Sequence, residues 1–185
     1  MKSDVVVFLT GLSFLLILFI SKRDKEVVVD EQEIATIIES DNIHEHKNCI
    51  DSTMKLVKNF EGYSDTIYVC PGGSKTIGYG FTYPNIWNKK TISRFEADSV
   101  LKNHLTWCMK MAERDSICCE RASAIGSFIY NLGYGNYKKS RVRDAVIRGD
   151  SLDVMLDYCY ASGKRLRGLE KRRKKELLMY NSFKN

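Results

Sequence analysis

Residues 5–20, VVVFLTGLSFLLILFI, are sixteen uncharged and mostly apolar positions between Asp4 and Ser21-Lys22-Arg23. A run with no polar face is not the amphipathic stripe of a surface helix. With Ser3 and Ser21 at its edges it reaches the short end of the bilayer-spanning range, so it predicts an N-terminal membrane helix over residues 1–21. A cleaved signal peptide is the other reading, but no small-residue cleavage site follows Ile20. Residues 22–48 are charged and acidic and read as a tether, with helical spacing at Ile34, Ile37 and Ile38.

Beyond the tether the period is mostly helical. Ile50, Met54, Val57 and Phe60 recur at helical intervals, and Gly62 ends that helix just after Glu61. Residues 66–70 and 75–79 predict two short strands joined by Pro71-Gly72-Gly73. Ser93-x-x-Glu96 is a capping box that opens a helix to about Ala112. Further helices are expected over 122–132, 140–148, 151–160 and from about Leu169 to Tyr180, with Gly133 and Gly149 as breaks. One helix, a β-hairpin and a helical bundle give an α+β domain, mainly helical.

Charge divides the chain. Residues 1–50 carry 5 Lys/Arg against 9 Asp/Glu, a balance of −4, and residues 51–185 carry 24 against 14, a balance of +10. A basic body suits a polyanion: nucleic acid, anionic lipid or bacterial cell wall. Nucleic acid is not expected, because the basic run from Lys164 to Lys175 lacks interleaved aromatics. That run reads as a solvated helix face packed by Leu169, Leu177 and Leu178, or as a contact for cell wall or headgroups. The six cysteines are Cys49, Cys70, Cys108, Cys118, Cys119 and Cys159. No C-x-x-C pair occurs and His44, His46 and His104 are isolated, so no metal or cofactor is implied. In an oxidising compartment the cysteines could form up to three disulfides.

The densest chemistry is Glu61, Cys70 and Thr76, spaced Glu-x8-Cys-x5-Thr across a helix end and a hairpin. This geometry can set an acid, a thiol and a hydroxyl on one cleft wall. Glycoside hydrolysis needs an acid for the leaving oxygen and a second group to guide or supply the nucleophile. Each residue also has a plain role: Glu61 as a solvated helix end, Cys70 as a small core residue, Thr76 as a strand former.

The segment resembles the active-site region of phage-type lysozymes, the endolysin muramidases. The matching residues are Glu61-Gly62, Tyr68-Val69-Cys70 and Thr76-Ile77-Gly78-Tyr79-Gly80. Phe128, Asn131 and Gly133 look like the family's Phe-Asn-x-Gly helix end. GLEKRRKKE, Gly168 to Glu176, is similar to its Gly-Leu-x-x-Arg-Arg-x-x-Glu. An aspartate is usual at the place of Cys70. Cysteine there, with Tyr-x-Cys-Pro-x-Gly at Tyr68 to Gly73, resembles the membrane-tethered branch of the phage P1 type. Phe81 stands where a histidine is common. Tyr63 stands where some members of the branch carry a cysteine that traps the catalytic thiol.

The resemblance implies a lysozyme-like catalytic domain over 49–185, with a small β-hairpin lobe and a helical lobe. It implies a muramidase (EC 3.2.1.17) that cleaves the β-1,4 bond between N-acetylmuramic acid and N-acetylglucosamine during host lysis. Glu61 is then the proton donor, Cys70 the water-directing group or nucleophile, and Thr76 a positioning hydroxyl. Cys49 is a candidate disulfide partner of Cys70. The expected partners are peptidoglycan glycan strands and, through residues 5–20, the inner membrane, with the protein a monomer. Function asks for a periplasmic domain, whereas Lys22, Arg23 and Lys25 taken literally favour a cytoplasmic one. Two readings from other classes stay open: a catalytically inactive wall-binding module and a membrane-anchored basic binding protein.

Overall fold

The computed structural model describes residues 31–70, 73–82, 90–161 and 163–182. The apolar run at 5–20 lies outside the described residues. No described helix is long and apolar enough to cross a membrane. The chain divides into two compact units, Met1–Glu45 and His46–Asn185. What is described of the first is helical, with the Thr36 hydroxyl donating to the Gln32 carbonyl at 2.7 Å.

The order of elements is α1 (Glu31–Glu61), β1 (Ser64–Val69), β2 (Lys75–Gly78), α2 (Arg94–Glu113), α3 (Cys119–Leu132), α4 (Tyr134–Lys138) and α5 (Arg141–Arg148). A 3-10 helix (Leu152–Asp157), the two-residue strands β3 (Tyr160–Ala161) and β4 (Lys164–Arg165), and α6 (Arg167–Ser182) complete it. The mainly helical α+β expectation holds for these residues. The helix that begins before Glu61 runs upstream without a break to Glu31. Residues 151–160 are not one helix: a 3-10 turn gives way to the start of a second hairpin. The 3-10 turn opens on Ser151, whose hydroxyl accepts from the Asp153 amide, and at six residues it is long for this tighter winding.

Strands β1 and β2 pair antiparallel with Tyr68 opposite Thr76 and Val69 opposite Lys75. Thr66 bridges to Thr91, and the Ile92 amide donates to the Asp65 carbonyl at 2.8 Å, so the chain entering α2 lies along β1. The capping box at Ser93 and Glu96 is formed in both directions. Ser140 caps α5 by accepting from the Arg143 amide, and left-handed Gly149 ends it.

The core lies where α2 meets α3. Leu101, Leu105 and Cys108 from one face, and Ala122, Ile125 and Phe128 from the other, are wholly buried. The helices approach closely at Gly126, where a Cβ would stand 2.7 Å from Met109 Cγ. A disulfide joins Cys49 on α1 to Cys119, the first residue of α3. Cys70 is not disulfide-bonded. The expected Cys49–Cys70 pair is therefore corrected, because Cys49 packs on the helical core and not beside the hairpin. Asp115 is clasped by Arg143 at 2.8 Å and by the Tyr137 hydroxyl at 2.8 Å, which fixes the turn before α3 to α4 and α5.

Candidate active site

Glu61 is the last residue of α1 and is partly exposed. Its Oε1 accepts from Arg172 Nη1 at 2.5 Å. Arg172 comes from α6 and is buried, with its guanidinium over the Phe60 ring at 5.7 Å. Its Nε donates to Glu176 Oε1 at 3.1 Å and its Nη2 to the Ser127 carbonyl at 3.2 Å. The Ser127 hydroxyl donates to the same Glu176 oxygen at 2.6 Å. Beside them Arg173 lies 3.0 Å from Glu176 and donates to Asn131 Oδ1 at 2.9 Å. Two glutamates and two arginines thus make a cluster with no formal charge. Glu176 and Arg173 have no exposed side-chain surface. Burial pushes the Glu176 carboxyl up, against the pull of Arg173 and Arg172. It also lowers Arg173 to about 10, which leaves the guanidinium charged at neutral pH.

The other side of Glu61 is backbone. Ile77 and Phe81 exchange both backbone hydrogen bonds across a tight turn, and Gly78 and Gly80 have φ of +66 and +90. A Cβ on Gly80 would stand 3.2 Å from Glu61 Oε2, and one on Gly78 would stand 2.5 Å from the Phe81 ring. A side chain is disfavoured at both positions by conformation, and at Gly78 it is also excluded by space. Phe81 is buried beneath this turn, which accounts for an apolar residue there. Tyr79 between them is buried, with its hydroxyl donating to Asp98 at 2.9 Å and its carbonyl accepting from the Tyr130 hydroxyl at 2.7 Å.

Cys70 follows β1 and is partly exposed. Its amide donates to the Ser74 carbonyl and its carbonyl accepts from the Gly73 amide, so it starts the hairpin turn. Burial pushes the Tyr68 phenol up, and negative charge at Cys70 and at Glu61 adds to the shift. Thr76 is brought opposite Tyr68 but is buried, and its hydroxyl donates to the Ser74 carbonyl at 3.1 Å. Its place is inside the hairpin wall.

Sequence reasoning did not see that Arg172 holds Glu61. The basic run proves to be two populations: Arg172 and Arg173 are buried, whereas Lys171, Lys174 and Lys175 are exposed. The expectation of a face packed by leucines holds in part for Leu177, which packs on the core, and is corrected for Leu178, which is 66% exposed; the buried face of α6 is Arg172, Arg173, Glu176 and Tyr180. The signal was in the spacing, because positions 172, 173, 176 and 180 share one helical face. The helix-end motif is also explained: Phe128 lies under Arg173 at 4.6 Å, Asn131 accepts from it, and Gly133 ends α3. Among the described residues the one grouping of potential metal ligands is Cys49, Cys119 and Glu120, and two of these three are joined as a disulfide.

Residues 58–176 match the phage lysozyme family model, and the chain belongs to that family. A SAR-endolysin of Bacteriophage PS119 is 28% identical over 123 residues, which is 63% of this chain and 71% of that protein. The muramidase domain of SpmX from Asticaccaulis excentricus has the same fold, with a TM-score of 0.61 at 23% identity over 70% of this chain and 94% of that one. The active form of the P1 phage endolysin Lyz superposes with a TM-score of 0.58 at 20% identity, over 69% and 82% of the two chains.

Proposed function

We propose that this chain is a muramidase that hydrolyses the β-1,4 bond between N-acetylmuramic acid and N-acetylglucosamine in peptidoglycan, and that it serves host-cell lysis. The observation that carries this reading is the fixed pose of Glu61. Arg172 holds Oε1, and Oε2 is left beside Gly80, where no side chain intervenes. In the reaction Glu61 gives its proton to the leaving glycosidic oxygen as the bond from that oxygen to the anomeric carbon breaks. Cys70 then either directs a water onto that carbon or attacks it as thiolate, forming a thioglycoside that water hydrolyses. The water supplies the hydroxyl of the new reducing end, and its remaining proton returns to the site. Thr76 contributes through the hairpin, since its hydroxyl braces the turn that carries Cys70.

The Cys49–Cys119 disulfide supports a domain that works in an oxidising compartment, the bacterial periplasm. Residues 5–20 supply the tether to the inner membrane, residues 22–48 the spacer, and 49–185 the catalytic domain. The test is turbidity loss of purified cell walls, with mass analysis of the soluble products. Glu61→Gln is expected to lower the rate by about 100- to 10,000-fold with the fold retained. Products with ordinary reducing ends support hydrolysis, and 1,6-anhydro ends would reject it. Full activity in Cys70→Ser would remove Cys70 from the chemistry.

A further inference from the structure

Four rings run across the surface of α2, α3 and α4, outside the site described above. Tyr130 and His104 have centroids 4.9 Å apart, His104 and Trp107 6.1 Å, and Trp107 and Tyr134 5.6 Å with an edge-to-face angle of 80°. Trp107 is 44% exposed, although a Trp face is among the larger apolar surfaces a protein can bury. Lys138 closes the row with its ammonium 5.3 Å from the Tyr134 centroid. At the other end the Tyr130 hydroxyl donates to the Tyr79 carbonyl, and Tyr79 precedes the Gly80 that faces Glu61. One end of the row is therefore tied to the turn that faces Glu61.

We infer that the row from Tyr130 through His104 and Trp107 to Tyr134 is a glycan-binding shelf that holds sugar units beyond the cleaved bond. The inference rests on the proposed glycan-cleaving function. A pyranose presents an apolar C–H face and a rim of hydroxyls. Rings with polar edges match both, since the Tyr134 hydroxyl and the Trp107 N–H can serve the rim while the ring faces serve the C–H surface. Burial lowers the His104 pKa, so the imidazole stays neutral and the shelf is uncharged along its length. Lys138 beyond Tyr134 suits the carboxylates that hang from the muramic acid units.

The test uses the full chain with Glu61→Gln, so that substrate is not consumed, and with Trp87→Phe, so that Trp107 is the only tryptophan. Its fluorescence is titrated with glycan strands stripped of peptide, and separately with free stem peptides. Bare glycan should change the Trp107 signal, and Tyr134→Ala by that signal, with Trp107→Phe by co-sedimentation with insoluble glycan, should each weaken binding roughly 3- to 10-fold. In chains with Glu61 intact, the same substitutions should raise KM on polymeric peptidoglycan and leave kcat in place. A response to stem peptide alone, or unchanged glycan affinity in both variants, would overturn the shelf. A glycan response in Trp107 with no lytic activity in the chain that retains Glu61 would keep the shelf and reject the hydrolase. Lytic activity with a silent Trp107 would do the reverse.

Discussion

Glu61 stands between two walls of opposite construction. On the α6 side the wall is side chain: Arg172, Arg173 and Glu176 bring charge into the interior and are linked through Ser127 and Asn131, while Arg173 Nε and Nη1 and Glu176 Oε2 are held by charge alone, without a hydrogen bond. On the hairpin side the wall is main chain: Gly80 brings backbone close to the carboxylate with nothing in between, and Gly78 lets the same turn close over the Phe81 ring. The first wall fixes one oxygen by direct bonds, and the second leaves the other oxygen room. A site that must both hold and present a carboxylate needs both. A buried ion cluster holds position but is weak evidence of net stability, since desolvation offsets much of its attraction. A glycine turn presents the group at an entropic cost paid on folding.

The largest effect should come from breaking the charged wall. Glu176→Ala leaves Arg173 in a site with no solvent and Arg172 with only Glu61 as an anion. Removing one partner of a buried cluster typically costs about 3–5 kcal/mol. Denaturant unfolding should show this as a lower midpoint at unchanged slope. An unchanged midpoint would mean that the wall is not what holds α6 in place.

Next is the covalent tie some way back along α1. Cys49→Ser with Cys119→Ser, or reduction of the native bond, should cost about 2–4 kcal/mol. Peptide mapping without reductant should recover the 49–119 link and an alkylatable Cys70. A link from Cys70 to Cys49 would contradict the pairing seen here. If α1 is positioned locally at Glu61, lytic activity below the melting range should survive the double substitution.

The glycine wall should respond more weakly in stability and more strongly in activity. Gly80→Ala places a methyl at φ +90 and 3.2 Å from Glu61 Oε2, a strain of about 1–3 kcal/mol. Activity should fall by more than the stability change explains, because the methyl displaces the carboxylate. Gly78→Ala points into the Phe81 ring and not at Glu61, so it should cost more stability for the same loss of activity. Equal ratios in the two variants would show that the turn acts only as a scaffold.

The two walls also differed in legibility. The hairpin wall was visible in the sequence because its cause is local: strand, turn and glycine positions announce themselves over twenty residues, and Ser93-x-x-Glu96 and Gly149 did the same for helix ends. The charged wall was not visible, because a pattern of Lys and Arg reads as solvent-facing until a partner from another element is known. The partner of Arg172 is 111 residues away, and that of Arg173 is 42 away at Asn131. The cysteine pairing failed for the same reason, since Cys49 meets Cys119 through the packing of α1 on α3, a tertiary fact. The second hairpin escaped because two-residue strands leave no period to detect. Of the three motif residues, Glu61 ends α1, Cys70 follows β1, and Thr76 turns its hydroxyl into its own turn.

The smallest effect sharpens the contrast within α6 itself. Glu170 lies six residues before Glu176 and also meets two cations, Lys174 at 3.0 Å and Arg165 at 3.2 Å. Here the pairs are at the surface. Lys174, by hydrogen bond, and then Arg165, by charge, hold the Glu170 carboxyl below its usual 4.5. A carboxylate whose folded value is depressed adds stability above the unfolded value and loses it as pH falls through the folded one. Glu170→Gln should therefore differ from the unsubstituted chain only at low salt and above about pH 4.5, with the difference fading as pH drops further. At moderate salt and neutral pH the melting temperatures should coincide, because exposed pairs are screened and gain little from geometry. If Glu170→Gln instead matched Glu176→Ala, the distinction between a buried wall and a solvated one would fail, and the whole face of α6 would have to be treated as one electrostatic unit.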